Sequence, residues 1–103
     1  MIIYNVTVQV AAAVAAQWLQ WMQREHIPQV MATGCFTGYR MVQLMEVDET
    51  EGPTYAVQYD AAAEADYQRY ITHHAPALRR QTEALWGNQV FAFRTLMRQV
   101  NVP

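Results

Sequence analysis

The chain has 103 residues, of which 52% are hydrophobic and 16% charged, and its formal net charge is −2. These values are typical of one packed domain that covers residues 1–103. The sequence contains no Lys and no Ser, which excludes Schiff-base chemistry, a Walker A phosphate loop and a serine-nucleophile hydrolase.

The first half of the chain predicts a strand, a helix and a second strand. Residues 2–10 alternate between apolar and polar side chains, as in a strand with one buried face. Residues 12–31 then follow a helical spacing, and Gly34 suits the left-handed position that ends a helix. Residues 36–47 predict the second strand. The apolar stripe of this helix consists of Val14, Trp18, Trp21 and Met22.

The second half repeats this order. Residues 54–59 are rich in aromatic and β-branched side chains and predict a third strand. Asp60 is placed to cap a second helix, which runs to about Trp86 and ends at Gly87. Residues 89–98 predict the fourth strand. The stripe of the second helix consists of Tyr67, Tyr70, Ile71, His74, Leu78 and Leu85.

The element order βαββαβ predicts an α+β fold of the ferredoxin-like type, in which two helices cover one face of a four-stranded antiparallel sheet. In this fold the first and third strands are central and the other two are edges. The two central strands carry no charge. The charged residues fall on the edges, where charge discourages stray strand pairing; they are Arg40, Glu46, Arg94 and Arg98.

The sheet face away from the helices is expected to pack on a second copy of the chain, closing a dimeric α/β barrel. Its predicted centre is too polar for an ordinary core, and its predicted flanks are too apolar to be bare. The centre would hold Asn5, Thr7, Ala56 and Gln58, and the flanks Tyr39, Met41, Met45, Phe91 or Phe93. We therefore expect a homodimer.

Several motifs resemble those of a family of small bacterial proteins, domain-of-unknown-function family 4286. They are W-x-x-W-M, beginning at Trp18, H-I-P-x-V-x-x-T-G-x-F at His26, T-Y-A-V-Q-Y at Thr54, A-P-x-L at Ala75 and F-x-F-R-T-L at Phe91. The family is similar to dimeric α/β-barrel proteins. The resemblance implies that fold and a homodimer, but it supplies no catalytic residues.

Two histidines sit two positions before a proline, His26 before Pro28 and His74 before Pro76. One interpretation is that both half-buried imidazoles belong to a site, because a general base needs such a group with a pKa near neutrality. The other is that the prolines kink the helices and the imidazoles bond the freed carbonyls. A third places each proline at the start of a fresh helical turn.

Asn5 is a polar residue in the middle of an apolar strand. By fold-level analogy with monooxygenases of the dimeric-barrel type, a catalytic set of His74, Asn5 and Tyr70 is possible. Asn5 could instead form hydrogen bonds across a dimer seam. Adjacent helical residues diverge, so His73 and His74 do not predict a metal site. The residues assigned to ligand binding are His26, Trp18, Trp21 and Tyr67.

The leading hypothesis for function is a homodimeric module that binds a small ligand or another protein without catalysis. The alternative is a cofactor-light monooxygenase, a haem-degrading enzyme or an isomerase, and a purely associative role is the third. The sequence assigns no cofactor. Its seven Arg form no basic cluster, and it lacks an apolar stretch long enough for a membrane span, so neither nucleic acid nor membrane is expected as a partner. One cysteine, Cys35, favours a cytoplasmic location.

Overall fold

Four antiparallel strands form a single sheet in the order β2-β3-β1-β4. The structure is a computed structural model that describes every residue, Met1–Pro103. The strands are β1 (Ile2–Val10), β2 (Gly38–Gln43), β3 (Thr54–Ala61) and β4 (Val90–Arg98). The expected ferredoxin-like order is confirmed, with β1 and β3 in the centre and β2 and β4 at the edges.

The alternation of β1 separates the two faces of the sheet. Tyr4, Val8 and Val10 are buried under the helices, because alternate side chains of a strand point to the same face. Asn5 belongs to the opposite face, where it lies between Gln58 on β3 and Thr95 on β4.

The first helical region is interrupted where the sequence predicts one continuous helix. It consists of a 3-10 turn (Ala12–Val14), α1 (Ala15–Trp21), a π-helical segment (Met22–His26) and α2 (Ile27–Ala32). Pro28 lies in the first turn of α2, directly after the π-helical segment, and both His26 and Ile27 before it have helical dihedral angles. Gly34 has the left-handed φ of 75° that was expected after the helix.

The second helical region is also divided, into α3 (Glu64–His73), α4 (Ala75–Trp86) and a 3-10 turn (Gly87–Gln89). His74 forms the break with φ −123°, and Pro76 lies in the first turn of α4. Both prolines therefore lie in the first turn of a helical segment, but only the segment of Pro76 begins after a non-helical residue, as the third interpretation proposed. The expected cap at Asp60 is wrong because β3 continues to Ala61; the Asp66 carboxylate instead accepts a hydrogen bond from the Ala63 N–H.

One residue of the predicted stripe of the second helix is not buried. Leu85 is 57% exposed on α4. Leu78, which was also placed on that stripe, packs against the core together with Trp86.

The core lies between the helices and one face of the sheet. Its largest fully buried side chains are Trp18, Val10, Val30 and Val57. The other face of the sheet is uncovered, and within one chain the sheet does not close into a barrel. None of the helices has the length and hydropathy that a membrane span requires.

The uncovered face carries only part of the expected apolar flank. Phe91 and Phe93 lie on it, since they pair with Gln9 and Thr7 of β1. Tyr39 and Met41 do not, because they pair with Tyr59 and Val57, whose side chains face the helices. Met45 lies beyond the end of β2, which is shorter than predicted.

Candidate functional site

A cavity lies between the helical layer and the centre of the sheet. Twelve of its sixteen lining residues are hydrophobic. About 60 Å³ is open to the centres of water-sized molecules, and one water needs roughly 10–15 Å³ on this measure. The lining includes inward side chains of β1 and residues of the first helical region, namely Tyr4, Val6, Val8, Trp18, Trp21 and Met22.

Two arginines converge on one phenol at the rim of this cavity. The hydroxyl of Tyr4 accepts a hydrogen bond from Arg94 Nε at 3.0 Å and one from Arg79 at 3.3 Å. Tyr4 is only 3% exposed, whereas both arginines are exposed residues. Arg79 comes from α4 and Arg94 from β4, so two separate elements bring their guanidinium groups to the same oxygen.

The π-helical segment positions His26 at the cavity. The N–H of Ile27 donates to the carbonyl of Met22, five residues back, and such π segments frequently occur at functional sites. The ring of His26 stacks on Trp21 with centroids 4.8 Å apart. Its Nδ1 is buried and has no hydrogen-bond partner.

Burial, with a smaller contribution from the charge of Arg94, lowers the pKa of His26 to about 4. Both effects oppose protonation, because the imidazolium would lose its hydration and lie near another cation. At neutral pH His26 is therefore uncharged. A neutral imidazole offers one donor and one acceptor nitrogen, and the Nδ1 of His26 uses neither capacity within the chain.

The remaining polar groups of the lining are mostly tyrosines. Burial raises the pKa of Tyr59 and of Tyr70 far above the ordinary range, so both remain neutral phenols. The Tyr59 hydroxyl is buried without a hydrogen-bond partner. The rings of Tyr59 and Tyr70 both pack near Tyr4, with centroids 6.2 and 5.8 Å away.

Three of the four residues assigned to ligand binding line this cavity: His26, Trp18 and Trp21. Tyr67 lies beside it, with its ring centroid 5.4 Å from that of Tyr4. Burial is the main cause that raises the pKa of Tyr67, and the charges of Arg79 and Arg94 oppose the rise. The structure therefore gathers the assigned ligand-binding residues around one cavity.

The three residues assigned to catalysis are not brought together. Tyr70 lines the cavity, and His74 lies in the helix break with its ring centroid 6.4 Å from that of Tyr70. Asn5 is on the opposite face of the sheet, where its Nδ2 donates to Thr7 Oγ1 at 3.0 Å. Its Oδ1 is buried without a partner.

Sequence reasoning missed Tyr4, Arg79 and Arg94 as site residues. Arg94 was assigned only to the protection of an edge strand. Its alternation with Ala92 and Leu96 could have placed it on the helix-facing side of β4. A charged side chain on that side is costly unless it has a polar partner. Nothing in the spacing of Arg79 distinguishes it from the neighbouring Arg80.

The chain contains no group of three or more His, Cys, Asp or Glu side chains arranged to hold a metal ion. Cys35 is buried and free. Its Sγ lies 3.9 Å from the carbonyl oxygen of Thr33.

Solved structures with the same fold cover nearly the whole chain. The cofactor-independent oxygenase SnoaB from Streptomyces nogalater is 10% identical with a TM-score of 0.67, over 98% of this chain and 95% of that protein. A dimeric ferredoxin-like protein from an uncultured marine organism is 10% identical with a TM-score of 0.66, over 99% and 97%. A dimeric ferredoxin-like protein of unknown function from Jannaschia is 12% identical with a TM-score of 0.57, over 92% and 98%.

At these identities the likeness shows the fold alone. A search of curated proteins finds no match. The domain of unknown function DUF4286 matches residues 1–100, which is nearly the whole chain and agrees with the resemblance of the motifs. The chain belongs to the DUF4286 family.

Proposed function

We propose that this protein binds a small, mostly apolar molecule in the cavity between its helices and its sheet. One observation carries the proposal: an apolar cavity on which the Tyr4 hydroxyl, two guanidinium groups and an unpartnered imidazole converge. Apolar cavities with a few convergent polar groups are the usual form of small-molecule sites. The apolar walls would supply affinity, and the polar groups would orient the ligand.

Binding without catalysis is better supported than the oxygenase alternative. A catalytic set of His74, Asn5 and Tyr70 requires polar atoms around one reacting centre. Asn5 lies on the far face of the sheet from Tyr70. The likeness to SnoaB concerns the fold, and a fold does not determine an activity.

Nuclear magnetic resonance of the tryptophan side chains tests the proposal. The indole N–H signals of Trp18 and Trp21 report on the cavity that these residues line. We expect small probes that suit a cavity of about 60 Å³, namely isobutanol, butyramide or isobutyramide, to shift those two signals in a saturable manner. Ala92 also lines the cavity. Ala92→Leu should therefore fill part of the space and lower the affinity for these probes about tenfold or more.

Ala84→Leu is the matched control, because Ala84 is exposed on α4 and does not line the cavity. This variant should bind the probes as the wild type does. Far-UV circular dichroism shows whether both variants fold. If no probe shifts the signals of Trp18 or Trp21, or if Ala92→Leu binds as well as Ala84→Leu, the cavity is not the binding site.

We further propose that the protein works as a homodimer joined through the uncovered face of the sheet. Phe91 and Phe93 are 70% and 56% exposed on that face. Large exposed aromatic side chains side by side are typical of an interface. Two of the structures with the same fold are described as dimeric ferredoxin-like proteins, which supports a second copy as the occupant.

The charges of this face also suit a second copy. Its strand residues include one cation and one anion, Arg40 and Asp60, and these form an ion pair at 2.8 Å. Two copies could therefore meet without like charges opposing each other. A polar centre of Asn5, Thr7 and Gln58 would then lie within the seam, where a donor from the partner could reach the unpartnered Asn5 Oδ1.

Mass measurement by light scattering after size exclusion tests this part of the proposal. The wild type should have twice the 11.9 kDa mass of the chain, and Phe93→Arg should be a monomer because the introduced charges would be buried against each other. Leu85→Arg is the control, since Leu85 is 57% exposed on the helical side. A monomeric wild type, or a dimeric Phe93→Arg, would contradict the assignment of this face.

A further inference from the structure

We propose that the ligand of this cavity is a monocarboxylate with an apolar body, whose carboxylate is bound by Arg79 and Arg94. The inference rests on the proposed function and specifies the chemical class of the ligand. Three features of the molecule carry it: the unneutralised charge of the two arginines, the composition of the lining, and the positions of charge and apolar surface within the cavity.

Arg79 and Arg94 form no ion pair with a carboxylate, unlike three of the other five arginines of this chain. Three arginines form ion pairs: Arg40 with Asp60 at 2.8 Å, Arg69 with Asp66 at 2.9 Å, and Arg98 with Glu64 at 3.5 Å. Arg79 and Arg94 instead share one neutral oxygen, that of Tyr4.

The shared hydroxyl uses only a small part of their bonding capacity. Each guanidinium has five N–H donors in a planar fork, and each gives one of them to Tyr4. The remaining donors of both groups are available. A carboxylate accepts such donors in pairs, with bonds about twice as strong as those between neutral groups.

The cavity itself contains no acidic residue that could neutralise these charges. Its sixteen lining residues include Arg79, Arg94 and His26 but no Asp or Glu. The charge of Arg94 reaches His26, where it contributes to the lowered pKa, and the charges of both arginines act on Tyr70. An anion is the ligand charge that this field stabilises.

The positions of the charged and apolar side chains around the cavity limit the ligand to one carboxylate. Arg79 and Arg94 are exposed at the rim, whereas Trp18, Met22 and Val57 are buried. A second charge on the ligand would lie against these apolar side chains, at a high desolvation cost. The ligand therefore carries its carboxylate at one end and an uncharged body at the other.

Tyr4 is a positioning residue in this arrangement. Its hydroxyl holds both guanidinium groups at one point of the rim, and this reduces the rotamer entropy that each long side chain would lose on binding. Replacement by Phe should therefore lower the preference for a carboxylate over the corresponding amide.

Matched pairs of acid and amide test the inference. We would titrate the protein at pH 7 with butyrate and butyramide, and with isobutyrate and isobutyramide, by isothermal calorimetry, because a cavity of about 60 Å³ suits a short alkyl body. Each acid should bind at least about tenfold more tightly than its amide. Hydrogen bonds to a charged acceptor contribute more binding free energy than those to a neutral one, and the difference corresponds to about tenfold in affinity. The preference should decrease as the salt concentration rises.

Substitutions then locate the charge. Arg79→Gln and Arg94→Gln should each lower the preference for the acid several-fold, and the double variant should remove it. Arg79→Lys and Arg94→Lys keep the charge and should retain most of it. Arg80→Gln is the control, because Arg80 neighbours Arg79 on α4 but does not line the cavity; it should behave as the wild type.

The outcomes separate this inference from the proposed function. If acids and amides bind equally, the cavity binds ligands but the carboxylate assignment is wrong. If the preference persists in the double Arg79→Gln, Arg94→Gln variant, other residues bind the carboxylate of the ligand, and the assignment is again wrong. If neither member of any pair binds, both this inference and the proposed function fail.

Discussion

At the scale of single residues, His26 shows how the cavity controls charge. The imidazole stacks on Trp21, and its pKa falls to about 4 through burial and the nearby charge of Arg94. In the unfolded chain its pKa is about 6.5. The native state therefore resists a proton that the unfolded state accepts between these two values.

This difference predicts a loss of stability in acid. Below pH 6.5 the unfolded chain binds a proton at His26 and the native state does not, so the free energy of unfolding decreases as the pH falls from about 6.5 to about 4. Above pH 6.5 this loss of stability does not occur. The loss on acidification is at most about 3 kcal/mol, from 1.36 kcal/mol for each pKa unit.

Urea unfolding at pH 7 and at pH 4.5 measures the effect. His26→Phe keeps an aromatic ring for Trp21 and removes the titrating group, so the difference between the two pH values should shrink. His73→Phe is the control, because His73 is exposed, and it should keep the full difference. An equal pH dependence in the wild type and in His26→Phe would show that His26 does not titrate as described.

The site also shows which residues a sequence reveals. Trp18 and Trp21 follow from the helical stripe, and both line the cavity. The role of Tyr4 depends on Arg79 and Arg94, which are 75 and 90 positions away in the chain. Such convergence depends on packing between distant elements, which no local pattern encodes.

At the scale of elements, strand positions were easier to predict than helix continuity. β1 has the predicted bounds, because a period of two over nine residues has no competing interpretation. Each predicted helix is instead divided before a proline, at Pro28 and Pro76. The apolar spacing continues across both breaks, so periodicity alone could not locate them.

Gly52 lies in the turn that leads into β3, where neighbouring backbone atoms come close to its Cα. It is buried, with a φ of 140°, and a Cβ at this position would lie 1.9 Å from the Val10 carbonyl oxygen and 2.8 Å from the Ala12 nitrogen. The turn is also bonded to the end of β1, since the N–H of Val10 donates to the Pro53 carbonyl at 3.0 Å. The backbone on both sides leaves no room for a side chain.

We therefore predict that Gly52→Ala lowers the free energy of unfolding by about 2–4 kcal/mol, from backbone overlap together with an unfavourable φ. Gly34→Ala provides the comparison, because Gly34 also has a positive φ of 75° but no atom within 4 Å of the added Cβ. Its cost should be about 1 kcal/mol. Chemical denaturation measures both, and equal losses would mean that the close approach at Gly52 relaxes.

At the scale of the whole molecule, the chain is a thin two-layer slab. Its extents are 39 × 35 × 19 Å and its radius of gyration is 14.0 Å, whereas a compact domain of this length has a radius of about 13 Å. The helices cover one face of the sheet, and Phe91 and Phe93 remain exposed on the other. A second copy would give the sheet its missing layer.

If the dimer is part of the folded state, its stability must depend on protein concentration. Unfolding would release two chains from one complex, so mass action should raise the melting temperature by roughly 3 °C for each tenfold increase in concentration. Phe93→Arg should melt at a lower temperature that is independent of concentration. Leu85→Arg, altered on the helical side, should keep the concentration dependence of the wild type.

Differential scanning calorimetry over a hundredfold range of concentration distinguishes this prediction from an independent monomer. A constant melting temperature in the wild type would mean that the slab is stable alone and that its exposed phenylalanines have another purpose. A concentration dependence that persists in Phe93→Arg would place the contact elsewhere on the molecule. The cavity lies on the helical side of the sheet, so a monomeric Phe93→Arg that still binds the neutral probes would show that ligand binding does not require the dimer.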